Sequence, residues 1–416
     1  MDLLPNEALT NFIFPNEATL YWSLMIVIYP YITGLVAGAF VVSSLHHVFK
    51  MEAFAPISRF ALVVSFCFGL FAGLPLQLHL GHPERAFNIF FTPHFTAAMS
   101  IFGYIYSTYM VLLIIEIWLV YREFFVRKAN ETGGLIWRIL TLGVTTCTPE
   151  SRRVDHKLLT FLAGLGIPIA FGLHGYVGFI FGSMKAIAWW ATPLQPIIFL
   201  VSAVASGIAA LFLMYAFLAC RRGDSIDYPL VKKLMTCLWI VFLVDYAIEV
   251  LEVGYAYFEH GHHWTVIGPL LNGPLRESYA VWQMGWLSLV PIVLIGLVVL
   301  VNLPNWLMML FSLIGSLGVV TQVLFMRYNV VIGGQLISKS DRGFTEFKWH
   351  WGGIEGTGMT LIVMLLPFIT YYVLTRLGIP IFGEEAEEET TNTSAPPLQE
   401  LSGSNPHLIN LPPLAP

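Results

Sequence analysis

The sequence predicts an all-α, polytopic membrane protein, and three observations carry that prediction. Of 416 residues, 56% are hydrophobic and only 11% charged, with a mean hydropathy of +0.72, whereas about 25% of an ordinary soluble domain is charged. The apolar residues fall in runs of about 20 or more, the length that crosses a bilayer as a helix. These runs are continuous, and hydrocarbon offers their backbone no partner outside the segment, so each must be helical.

Nine runs qualify, at approximately 20–48, 57–79, 96–121, 157–183, 194–220, 230–258, 279–302, 305–326 and 355–378. Leu135 to Val144 is apolar but short, which fits an interfacial or re-entrant piece and makes the count nine to ten. The chain then divides into a tail at 1–19, a first membrane half at 20–220, a second at 221–380 and a tail at 381–416. The last is acidic, then Thr/Ser/Pro-rich, a composition expected to stay disordered.

Orientation follows from Lys and Arg in the connections. One side holds Lys50, Arg59, Arg122, Arg127, Lys128, Arg138, Arg152, Arg153, Lys157, Arg221, Arg222, Lys232 and Lys233. The other holds Arg85, Lys185 and Arg276, then Arg327, Lys339, Arg342 and Lys348 in the last long connection. The first side is expected in the cytoplasm, with the N-terminus outside and the C-terminus inside. No basic stretch precedes an apolar one at the start, so no cleaved signal peptide is expected. Cys67, Cys147, Cys220 and Cys237 lie far apart, without zinc or iron–sulfur spacing, so the chain is expected to hold no metal. No nucleic-acid partner is expected.

Ionisable residues inside spans cost about 2.5–3.5 kcal/mol each on insertion scales, so each needs a reason. Asp245, Glu249 and Glu252 are spaced four and three apart, on one helical face rising from mid-membrane to the outer surface. Such a ladder can hold protons when dry and release them when wet; alternatively it only hydrogen-bonds neighbouring helices. Glu116, in the inner half of the third span, either extends that path or snorkels to the interface. His46 and His47 read as interfacial. His174, between Gly172 and Gly175, is a candidate site residue or a satisfied helix contact.

At the outer end of the second span stands His79-Leu80-Gly81-His82-Pro83-Glu84-Arg85, followed by Thr92-Pro93-His94. Gly81 and Pro83 end the helix, so His79, His82 and Arg85 are expected to line the mouth of a pocket. Imidazoles there can donate to a carbonyl oxygen and exchange protons near neutral pH. The alternative is a polar anchoring loop. The Glu259–His263 run matches no metal template.

These residues resemble the NrfD/PsrC-type membrane subunits of quinone-linked respiratory oxidoreductases. Tyr29 and Gly34 to Gly38 are similar to the family's glycine-rich first helix. His79 to Arg85 resembles its Asp-Leu-Gly-x-Pro-x-Arg segment, and Thr92 to Ser100 the stretch after it. His174-Gly175-Tyr176 and Pro193 to Gly207 resemble the next two helices. The segment Arg327 to Gln335 is similar to the long branch that includes DsrP, HybB and QrcD-type subunits, with the membrane subunit of a menaquinone reductase complex as the leaning. Two departures stand out: His79 replaces the family's usual aspartate, and the extra N-terminal span of long-branch members is not found.

The resemblance implies a bacterial inner-membrane subunit free of haem and iron–sulfur clusters, often built as two four-helix bundles, here spans two to five and six to nine plus an extra helix. It implies menaquinone or another quinone near the outer face, an iron–sulfur subunit docked outside, and further cytochrome c or molybdopterin-type subunits. The head group would meet His79, His82, His94, His174, Arg85, Tyr29 and Tyr104. Reducing a quinone takes two electrons and two protons, so the side chains must supply protons, and Asp245, Glu249, Glu252 and Glu116 could bring them across the membrane. The competing class is a proton-coupled transporter, with the ladder as coupling site and a helix break at Gly164, Gly166 and Pro168. A di-haem anchor would need histidines facing each other in the bundle.

Overall fold

The computed structural model describes residues 19–338 and 343–381. The segments expected to be tails, before Thr19 and after Ile381, lie outside the described residues. Among those residues nine helices are long and apolar enough to span a membrane: Leu24–His47, Glu52–His79, Ala98–Thr132, Pro149–Gly182, Gln195–Arg222, Tyr228–Glu259, Arg276–Leu300, Asn305–Gln335 and Thr357–Arg376. They are spans one to nine.

The apolar runs locate these helices to within a few residues, except where charge does not end a helix. Spans three and four run on past the apolar stretch to Thr132 and from Pro149. Their extensions are clamped by Arg122 on Asp155 at 2.6 Å and by Arg152 on Glu123. Span eight continues through Arg327, which was expected in a connection. The short apolar stretch contains a six-residue helix, Leu135–Leu140, whose Leu135, Ile136 and Ile139 are exposed. Trp118 donates its indole N–H to Leu140 O at 2.7 Å, holding this helix beside span three.

Span one is the axis of the molecule, and 94% of its apolar window is buried. It touches spans two, four, five, eight and nine. Its approach to span five is backbone on backbone: a Cβ at Gly38 would meet the carbonyl oxygen of Ala203, and Gly207 Cα at 2.7 Å. Small residues of this kind are how helices gain van der Waals contact where lipid removes the hydrophobic drive.

Spans one to five form one group; spans six, seven and eight form another, joined to it through spans five and one. Span nine was expected with the second group and instead packs on spans two and one. The reason is aromatic: Phe368 meets Phe68 edge-on at 5.4 Å, and Tyr371 meets Phe60 at 5.9 Å. Span four is an unbroken helix through Gly164, Gly166 and Pro168. Gly166 is fitted tightly under Phe40 of span one. Span seven begins as a π-helix, Arg276–Trp286, before turning α-helical at Leu287. At the His79 end Thr19–Leu20 pairs in parallel with Glu346–Phe347.

Candidate functional site

Two loci collect the polar residues that the spans carry. The first is the mouth at the end of span two. Pro75 begins its last turn and the helix ends at His79, with Leu80 extended beyond it. His79 Nδ1 lies 3.2 Å from a carboxylate oxygen of Glu355 and 3.3 Å from the hydroxyl of Ser23. Trp22 sits edge-on to the imidazole at 6.4 Å. The mouth is thus built from span two, the start of span one and the connection before span nine.

The other predicted residues of this region do not converge on His79. His82 is exposed and pairs with Glu84 at 3.0 Å, Arg85 is exposed, and His94 is exposed and bonded to Thr96 at 2.7 Å. Tyr104 reaches Phe90 O at 3.5 Å. Tyr29 is buried, edge-on to Phe102 of span three at 5.4 Å, and its hydroxyl has no hydrogen-bond partner.

The second locus is interior. Arg327 of span eight is fully buried and donates from Nη2 to Ser202 Oγ at 2.8 Å, His174 Nε2 at 3.1 Å and Phe199 O at 3.2 Å. Its guanidinium lies 3.8 Å from the centre of the Phe199 ring. A guanidinium has no acceptor, so Nε2 of His174 must be the accepting nitrogen and the ring proton sits on Nδ1. That nitrogen is buried and has no partner. Gly34 makes the room: a Cβ there would stand 3.2 Å from the imidazole.

Arg327 also acts electrostatically on Asp245 and Glu249 of span six. Asp245 is wholly buried and neither carboxylate oxygen has a hydrogen-bond partner. Glu249 is held by amide N–H donors, Gln283 at 2.8 Å and Gln322 at 3.3 Å, and Asn329 donates to Gln283 Oε1 at 2.8 Å. An unpaired charge in such a place costs several kcal/mol, so cation and carboxylates depend on one another. One turn further, Glu249 and Glu252 line a cavity with Gln195, Tyr279 and Gln283, where Gln195 Nε2 is buried without a partner. π-Helices are frequent at functional sites, and here one supplies Tyr279 and Gln283.

The structure therefore brings Asp245, Glu249 and Glu252 onto one face, and Arg327, hydrogen-bonded to His174, acts electrostatically on the first two. Glu116 is buried in span three with one carboxylate oxygen unpartnered, apart from that network. An aromatic row leads from mouth to interior, His79 to Trp22 to Trp190 to Phe181 to Phe199 to His174, each step 5.0–6.4 Å between ring centres. Sequence reasoning missed Arg327, Gln283, Gln322, Asn329 and Glu355. The signal for span eight was present: Gln322, Arg327 and Asn329 interrupt an apolar run that resumes through Val330, Val331 and Ile332. Among the described residues no group of His, Cys, Asp and Glu could hold a metal ion.

Fold and interior together define a multi-pass membrane protein with buried charged and polar side chains among its helices. The family model described as "Polysulphide reductase, NrfD" matches residues 14–339, and the chain belongs to that family. It is 32% identical to the C subunit of selenate reductase from Mesobacillus selenatarsenatis over 400 residues, 90% of this chain and 89% of that protein. It is 23% identical to protein NrfD of Escherichia coli, over 76% of this chain and 96% of the relative. The C component of polysulfide reductase from Wolinella succinogenes is also 23% identical, over 76% and 95%.

Proposed function

We propose that this protein is the membrane subunit of a respiratory reductase complex and links the quinone pool to redox subunits docked at the His79 end. The observation that carries the reading is its likeness, along nearly the whole chain, to a protein named as the C subunit of selenate reductase. The chain itself would need no metal; electrons would be exchanged between the quinone and an iron–sulfur subunit, with cytochrome c or molybdopterin-type partners beyond it. Menaquinone is the quinone we favour, in a bacterial inner membrane with the His79 end periplasmic.

A quinone, when bound, supplies two-electron chemistry tied to two protons. Two groups suit its polar head: His79 at the mouth offers an imidazole that shares Glu355 and Ser23, and Tyr29, deeper in span one, offers a buried hydroxyl without a partner. Tyr29 would donate to a carbonyl oxygen. His79 would give or take a proton, with Glu355 orienting the ring. His82, Arg85, His94 and Tyr104 would line the entrance rather than touch the reacting oxygens. Deeper in, His174, Asp245, Glu249 and Glu252 would hold protons on the way to or from the cavity, and Glu116 would continue that route toward the Lys/Arg-rich end.

The test is purification through a tag on this protein from its native membrane. Iron–sulfur and catalytic subunits should copurify, and the complex should oxidise or reduce a menaquinone analogue, with His79→Ala lowering affinity and rate. A protein that purifies alone and leaves the analogue untouched would sink the reading.

A further inference from the structure

The Lys/Arg-rich end of the bundle holds a cluster that the proposed function does not use. Span one ends in His46 and His47, whose rings meet edge to face at 5.2 Å. Buried atoms His46 Nδ1 and His47 Nε2 have no hydrogen-bond partner. Lys50 follows with φ of 55° and donates its backbone N–H to His46 O at 3.1 Å, which turns the chain back toward span two. That left-handed conformation is one glycine or asparagine adopts more readily than lysine. The chain keeps a cation there at a conformational cost.

Arg59 of span two and His156 of span four approach the same place. With Lys50 and His46 they act electrostatically on His47, and no carboxylate is among the groups that do. Phe49 and Met51, on either side of Lys50, are 60% and 42% exposed. The cluster therefore combines unsatisfied ring nitrogens, convergent positive charge and an apolar flank at the end of membrane helices.

We propose that this cluster binds a phosphate oxyanion, that of an anionic phospholipid in the adjoining leaflet. His46 and His47 donate ring N–H groups to the phosphate oxygens and Lys50 supplies charge, while acyl chains lie over Phe49 and Met51. Basic pockets between membrane helices on the cytoplasmic side take such headgroups, and an exposed apolar flank suits a lipid better than free phosphate.

The full complex is purified and placed in nanodiscs of phosphatidylcholine alone or with phosphatidylglycerol or cardiolipin, and inorganic phosphate is added to the first set. Retained lipid is read by native mass spectrometry and stability by the thermal midpoint. Wild type is expected to retain anionic lipid at least fivefold over phosphatidylcholine and to gain thermal midpoint from it. His46→Gln with His47→Gln, and separately Lys50→Asn, should each abolish most of that preference. Asparagine tolerates the left-handed backbone, so Lys50→Asn should melt like wild type in phosphatidylcholine. Equal lipid retention by the variants would overturn the site, as would no preference in wild type. An equal midpoint gain from inorganic phosphate would overturn the lipid as its ligand.

Discussion

The mouth at His79 and the interior at Arg327 use the same kinds of side chain, histidine with a charged partner, under opposite physical conditions. At the mouth, Glu355 is 45% exposed beside a His79 side chain that is 20% exposed, so water and salt screen the pair. In the interior nothing screens Arg327, and its hydrogen bonds to Ser202, Phe199 and His174 stand in for water. A mouth contact can therefore be made and broken at small cost. In the interior, Arg327 takes its hydrogen bonds from the packed helices.

The largest test of that difference is Arg327→Met, which leaves Asp245 and Glu249 without their cation. It should cost on the order of 3–5 kcal/mol, read as loss of folded complex from the membrane and a lower thermal midpoint. Adding Asp245→Asn to it should recover part of the loss; no recovery would break the claimed coupling between them. Alone, Asp245→Asn should leave assembly intact and lower quinone-linked turnover about 10²-fold, the scale of a lost proton-transfer group. Unimpaired turnover would take it out of the proton route.

Gly207→Val tests the frame rather than the charges. Its added carbons would strike Gly38 of span one, so a loss of about 1–3 kcal/mol in stability is expected from thermal melts. At the mouth, Glu355→Gln should change stability by about 0.2–1 kcal/mol while slowing turnover more than it weakens assembly. The smallest effect is expected for His82→Ala, within about ±0.5 kcal/mol in stability. If instead it matched His79→Ala in quinone affinity, the mouth would be wider than the hydrogen bonds suggest.

Spans were legible because hydrocarbon imposes one rule on every backbone, and the apolar runs obey it. The ladder was legible for a related reason: spacings of four and three put Asp245, Glu249 and Glu252 on one helical face. What escaped was anything whose meaning depends on a neighbour. Arg327 looked like a connection residue because a lone arginine in an apolar run reads as its end until Ser202, His174 and Asp245 are seen around it. The place of span nine escaped likewise, since it is decided by Phe368 and Tyr371 finding rings on span two. His79, His82, Arg85 and His94 are adjacent in sequence, yet only His79 has its partners on other segments, and sequence adjacency cannot show that divergence.

The short parallel pairing of Thr19–Leu20 with Glu346–Phe347 has a consequence for the order of biogenesis. The first strand is made before the nine described spans, and its partner only after the eighth. Closure of so long a loop must wait for the intervening helices to insert and pack. Ser23 and Trp22, just after the first strand, and Glu355, just after the second, are the groups that surround His79. The mouth around His79 thus stays incomplete until the eighth span and the segment after it have been made.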